Sequence, residues 1–234
     1  MSDLAGKIPD IPQPILNEID FVLIAGDVTL GARSVDRAAK NFDKLGAFLP
    51  KDRSVFFIPG NHDFPILAED QPFYPPNFIQ MHNRVYFYQV ESMANKFQVR
   101  IIGFGGAKIG LYNNFAFSED KIYASLKDLF QKPQQNMNNL PIITILLVHD
   151  PPNNTSLDLN YQKNHVGSES VRRIIEEFQP HLAVAGHIHE SPAVERIGKT
   201  VAVNAGEAKY NKFAEILLDF SASSADPIID INLH

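Results

Sequence analysis

Six side chains that can bind metal lie far apart in this 234-residue chain yet at matching places: Asp3, Asp27, Asn61, His149, His187 and His189. The last five follow short apolar runs, which read FVLIAGD, VFFIPGNHD, TILLVHD and LAVAGHIH. Runs of this length are too short for helices and predict buried strands. Four strands that each deliver a metal-competent side chain at the carboxyl end resemble the way open α/β sheets place their ligands. Carboxylate, amide and imidazole together suit Mn, Fe, Zn, Co or Ni better than Ca, which prefers oxygen alone. In an extended segment, residues two apart point to one side, so His187 and His189 can share a cavity. Gly26 and Gly60 let the backbone turn sharply where the strand ends. Taken singly these signals are weak. An Asp after a strand commonly caps a turn, a lone His is commonly structural, and GNHD can be an Asx-turn. Their conjunction at four strand ends is what points to a metal centre.

The elements that must position them follow from the apolar spacing. Strands are predicted over 21–25, 55–58, 142–148 and 182–185. Helices are predicted over 15–19, over 33–48 (stopped by Pro50), over 119–130 (capped by Ser118) and over 168–178 (stopped by Pro180). Residues 84–90 and 97–104 read as an antiparallel pair joined through Asn95, and 133–139 as a polar linker. Further strands are expected over 193–197, 200–204, 214–220 and 228–232. The pattern is α/β: βα units build one half and antiparallel strands close the other. Two mixed β-sheets packed as a sandwich, flanked by helices, bury all of these strands.

Composition bounds the rest. Charged residues are 21% and hydrophobic ones 44% of the chain, as in a globular domain, and 234 residues suit a single domain. The net charge of -6 and the lack of a basic run argue against nucleic acid as a partner, though not against a small nucleotide. With no cysteine there is neither disulfide nor thiolate zinc site, and a cytoplasmic location is the expectation. The longest apolar runs fall far short of the ~20 residues that span a bilayer, so no membrane partner is expected.

With these residues in view, the chain resembles the calcineurin-like metallophosphoesterases. That family's motifs are D-x-H, G-D, G-N-H-D/E, an isolated His and G-H-x-H. Here they read Asp3 to Ala5, Gly26-Asp27, Gly60 to Asp63, His149 and Gly186 to His189. The segments HDPPNNTSLD, HVGSESVRRIIEEFQPHLAVAGHIHES and VAVNAGE are similar to small phosphoesterases related to cyclic-nucleotide phosphodiesterases. The resemblance implies a four-layer α/β/β/α fold and two divalent transition metals, bridged by Asp27. Asn61, His149 and His187 would complete one metal's shell, and Asp3 and His189 would serve the other. His62 would be the catalytic residue that assists the leaving oxygen, with Asp63 orienting it. The implied reaction is attack of metal-bound hydroxide on a small phosphoester, most naturally a phosphodiester.

Two departures stand out. Ala5 replaces the family's histidine, so the metal served by Asp3 and His189 is expected to be weak. Only two residues precede Asp3, so a first strand is expected upstream of Met1. Ala5 also keeps a rival reading open, a catalytically weakened protein-interaction scaffold, and a nuclease is a third. Exposed strand edges would allow a homodimer. Three further expectations concern neighbours of the motifs. Asp150 either orients His149 or simply starts the Pro151-Pro152 loop, His165 either lies on the substrate side or simply precedes a helix capped by Ser168, and the Phe73–Pro76 loop either covers a substrate or packs on the surface.

Overall fold

The computed structural model describes residues 1–29, 31, 34–91, 96–110, 114–133, 140–219 and 227–234; Asn95 and most of the 133–139 linker fall outside these. The elements are α1 (Gln13–Glu18), β1 (Phe21–Ala25), α2 (Val35–Phe48), β2 (Ser54–Ile58), β3 (Phe78–Gln80), β4 (Arg84–Glu91), β5 (Lys96–Phe104), β6 (Ala107–Lys108), β7 (Ala116–Phe117), α3 (Glu119–Gln131), β8 (Ile142–Val148), α4 (Glu169–Phe178), β9 (Leu182–Ala185), β10 (Ala193–Ile197), β11 (Thr200–Asn204), β12 (Ala214–Asp219) and β13 (Ile228–Leu233).

One parallel sheet has the order β1-β2-β3, and a mixed sheet has the order β10-β11-β9-β8-β5-β4. In the mixed sheet the expected pair β4–β5 is antiparallel, while β5, β8, β9 and β11 run parallel. A separate hairpin, β12–β13, lies beside the first sheet, and β6–β7 forms a short ladder.

Side-chain alternation builds three apolar layers from these strands. Val22 and Ile24 of β1, with Val55 and Phe57 of β2, face the helix side and meet Phe42 and Leu45 of α2. Their neighbours Leu23, Ala25, Phe56 and Ile58 face inward, onto Ile101, Ile145, Leu147 and Val184 of the mixed sheet. The outer face of that sheet, with Leu146 and Val148, packs on Leu126 and Leu129 of α3 and on Ile174 of α4. The result is helix, sheet, sheet, helix, the sandwich expected from the spacing. Strands buried on both faces need continuous apolar runs, which is why the four site-bearing segments carry no polar alternation.

Helix boundaries follow local chemistry. Ser34 Oγ accepts from Arg37 N, Ser118 Oγ from Lys121 N, and Ser168 Oγ from Val171 N, each at a helix N-terminus. No helix among the described residues is long and apolar enough to cross a membrane.

Phe42 pins α2 to the first sheet. It is fully buried, and its ring meets Tyr74 at 4.7 Å, Phe57 at 5.1 Å, and Phe73 and Phe78 at 5.9 Å. The Phe73–Pro76 loop therefore packs as part of this layer. Phe42→Ala should cost about 3–5 kcal/mol through lost burial and an unfilled cavity, read as a lower midpoint in urea denaturation.

Candidate metal centre

The site lies where the carboxyl ends of both sheets meet. β1 runs into Gly26 and Asp27, and β2 runs into Gly60, Asn61 and His62. From the mixed sheet, β8 ends at His149, and β9 ends before Gly186, His187 and His189. Asp3 joins them because the chain start runs along β1, with Asp3 N donating to Gly26 O at 3.0 Å. All six residues expected from the sequence are linked by short contacts in one cleft.

Asp3, Asp27 and His149 present ligating atoms that all lie within 4.8 Å of one another. Around them the contacts are tight. His189 Nε2 stands 3.1 Å from Asp3 Oδ1, and His187 N donates to Asp3 Oδ2 at 2.9 Å. His149 Nε2 lies 3.0 Å from Asn61 Oδ1 and 3.6 Å from Asp27 Oδ2. The His149 and His187 rings are 5.0 Å apart. His62 N donates to Asp27 Oδ1 at 2.9 Å, which ties the β2 turn to the β1 turn.

The tautomer of His149 follows from its other nitrogen. Nδ1 is 2.7 Å from Ala25 O, and a carbonyl can only accept. Nδ1 therefore carries the proton, and the lone pair of Nε2 faces Asn61 and Asp27. Of the two readings of Asp150, orienting His149 is therefore not the one the contacts follow. Asp150 Oδ2 instead accepts from Lys108 N at 2.9 Å, and burial pushes its carboxyl up to about 7.

The electrostatics ask for a cation. Burial, and then the charges of Asp3 and Asp63, push the Asp27 carboxyl well above the usual range. Burial also raises Asp63. Asp3 is held below its ordinary value: burial opposes ionisation, but the His189 bond and the neighbouring imidazoles outweigh it. Burial pushes His187 down to about 3, so its imidazole is neutral and free to offer a lone pair. Among the described residues no Lys or Arg side chain bonds the Asp3 or Asp27 carboxylate. Buried carboxylates with no Lys or Arg partner among the described residues, lined by imidazoles and an amide, fit a divalent transition metal.

The local backbone is strained to achieve this. Asp3, Ala5, Asp27 and His187 all have positive φ, at 53°, 48°, 50° and 66°. Each costs on the order of 1 kcal/mol or more and persists only where packing enforces it. Two glycines are required for close approach. A methyl group at Gly26 would overlap the His149 ring, and one at Gly60 would overlap the Asp27 carboxylate. Asp63 braces the same turn, accepting from Gly60 N, Val28 N, Thr29 N and Thr29 Oγ1 at 2.7–2.9 Å.

One residue of the site escaped the sequence reading. Glu207 is buried, and its Oε2 lies 3.3 Å from His189 Nδ1. The imidazole is thus held between Glu207 on one side and Asp3 on the other. Burial opposes charge on His189, but these two carboxylates outweigh it and keep its pKa above the ordinary value. Glu207 also pairs with Lys209. Its only signal was VAVNAGE, a strand followed by an acid, which many loops share. His165 bonds Asp158 at 2.7 Å and so braces the loop between β8 and α4. His82 accepts from Gly105 N and packs among Phe104, Phe115 and Phe117.

With this geometry established, comparisons with known proteins are informative. A family profile described as calcineurin-like phosphoesterase matches residues 1–191. The uncharacterized protein MJ1162 of Methanocaldococcus jannaschii is 28% identical over 215 residues, which cover 90% of this chain and 88% of that one. TT1561 of Thermus thermophilus superposes with a TM-score of 0.62 at 18% identity, over 99% of this chain and 96% of the other. GAP50 of Plasmodium, the anchor in the inner membrane complex, superposes with a TM-score of 0.55 at 13% identity, over 88% and 70%. At such identities the structural likeness establishes the fold alone.

A carboxylate behind a ligating imidazole fixes its ring and raises its basicity. Glu207→Gln should therefore weaken metal binding at the Asp3–His189 end by about 10–100-fold and leave the other end unchanged, read by calorimetric metal titration.

Proposed function

We propose that this chain, which belongs to the calcineurin-like phosphoesterase family, hydrolyses small phosphodiesters with two divalent transition metals. Metal-dependent phosphoester hydrolysis is the family's chemistry; the two-metal count and the preference for diesters are our reading. The observation that carries it is the convergence of Asp3, Asp27 and His149 within 4.8 Å, with Asn61, His187 and His189 closing the ring. Asn61, His149 and His187 would hold one metal, Asp3 and His189 the other, and Asp27 would reach both. When bound, the metals would supply positive charge to the phosphoryl oxygens and acidify water.

The chain's own residues do the rest. Asp27 is fixed by His62 N, so the bridging carboxylate cannot swing away from the site. Asn61 holds its place through the turn that Asp63 braces. His62 is half-buried, and burial followed by the charges of His149 and His189 lowers its pKa. A neutral imidazole there can donate its N–H to the phosphoryl or leaving oxygen without competing for metal.

A preference for diesters is supported by charge. A phosphodiester carries one negative charge and a monoester close to two. With a net charge of -6 and no Lys or Arg bonded to the Asp3 or Asp27 carboxylate among the described residues, the site favours the less charged substrate.

The test is hydrolysis of an aryl phosphodiester and the matching monoester by metal-stripped chain titrated with Mn²⁺. Diester turnover should rise with metal and exceed monoester turnover; the reverse preference would overturn the diester reading. Asp27→Ala and His187→Ala should each remove metal and turnover together. Absence of turnover from a folded, metal-loaded chain would favour the scaffold. His62→Ala should lower kcat by about 10²–10⁴-fold with bound metal retained, since its ring assists rather than ligates. Metal loss in that variant would remove His62 from this role.

A further inference from the structure

The turn between β3 and β4 carries the chain from the first sheet into the mixed sheet. Met81 N still donates to Phe57 O at 2.8 Å in the first sheet, and Arg84 N donates to Met81 O at 3.2 Å to close the turn. His82 lies inside this turn. Its Nδ1 accepts from Gly105 N at 3.0 Å. A backbone N–H can only donate, so Nδ1 carries the lone pair and Nε2 the proton.

Three phenylalanine rings fix the imidazole. Phe104 and Phe115 stand 4.9 Å from it, and Phe117 lies nearly parallel to it at 5.7 Å. Burial among them, reinforced by the charges of Arg84 and Lys121, pushes the imidazole down to about 4, so the acceptor is kept at neutral pH.

The bond matters because of what Gly105 touches. Gly105 and Gly106 follow β5 and run against the turn that carries Asn61 and His62. Gly106 N donates to Pro59 O at 2.8 Å, and a methyl group at Gly105 would overlap the Pro59 backbone. Phe115 donates its N–H to Asn61 O at 3.4 Å. The same segment continues into β6, where Lys108 N donates to Asp150 Oδ2, beside His149. One imidazole thus fixes a segment that backs the mounts of both Asn61 and His149. Asp3 and His189 hang from other segments, the chain start and the turn after β9.

We propose that His82 is a positioning residue for the metal end formed by Asn61 and His149. Its Nδ1 anchors Gly105, and the segment from Gly105 to Lys108 in turn sets the Asn61 turn and the Asp150–His149 corner. The role rests on the assignment of Asn61 and His149 to one metal in the proposed function. Among three phenylalanines, a fourth would pack as well as an imidazole. It would leave the Gly105 N–H buried without an acceptor, and that is the reason for a nitrogen at this place.

Two substitutions separate the nitrogen from the ring. Asparagine keeps an acceptor near the position of Nδ1 and loses the ring; phenylalanine keeps the ring and loses the acceptor. The readout is calorimetric titration of metal-stripped chain with Mn²⁺, in which the binding step removed by Asn61→Ala marks the Asn61–His149 end. His82→Phe should weaken that step by about tenfold and leave the Asp3–His189 end unchanged, while His82→Asn should stay within about twofold of the unmodified chain. Unchanged affinity in His82→Phe, or a loss in His82→Asn as large as in His82→Phe, would overturn the proposal. Coupling is reciprocal, so the unmodified chain gives a check that needs no variant: Mn²⁺ should slow amide exchange at Gly105 and Gly106 several-fold. Exchange at these amides that ignores Mn²⁺ sinks the role, whether or not either variant folds. A metal-loaded chain that turns over no phosphoester would remove the proposed function, yet the binding and exchange readouts would still decide the role of His82.

Discussion

Two carboxylates, Asp3 and Asp27, are buried together at the junction of two sheets, and no lysine or arginine of the described chain bonds either of them. Charge buried in this way is unfavourable unless a cation answers it. The surrounding groups are arranged for that cation rather than for each other. His149 gives its proton to a backbone carbonyl and turns its other nitrogen inward. His187 is held neutral by burial, and His189 is clasped between two acids. The chemistry of the site is therefore set by an electrostatic demand, and the fold is the frame that keeps that demand from relaxing.

The frame is stiff where it must be. Apart from Asp3, each candidate ligand sits one to four residues past a strand end, and three of the six occupy left-handed backbone. Such conformations persist only when neighbouring structure overdetermines them. Here the apolar layers on both faces of each strand do so, together with the Asp63 brace and the two glycines that admit the His149 ring and the Asp27 carboxylate. Ala5, which replaces a ligand of the family pattern, keeps the left-handed backbone, and its N–H bonds Asp27 O at 2.9 Å. The loop that would carry the missing imidazole is thus retained. Glu207 supports the imidazole that remains at that end of the site.

Much of this was legible in the sequence because it is local. A strand buried on both faces must be apolar throughout, so β1, β2, β8 and β9 announce themselves, and a polar side chain, after a glycine in all but β8, marks the point where each strand stops. Serine caps act in the same local way: Ser118 was legible as one, whereas Ser34, inside the expected helix, proved to be its cap only in the structure. Antiparallel β4–β5 could be read from its β-branched and aromatic runs. Six ligand-type residues could therefore be named without coordinates, and they do converge.

Contacts between distant segments were not legible. That Glu207 stands behind His189, that Ala25 O rather than Asp150 holds His149, and that Asp63 bonds the β1 turn all depend on pairs separated by 18 to 124 residues. Apolar period and turn chemistry act over a few residues, so the chain by itself determined its longer strands, its helices and its set of candidate ligands, while the short β3, β6 and β7 emerged only in the structure. Partner choice among buried polar atoms is decided by which loops the packed layers bring together, and only the tertiary structure settled that.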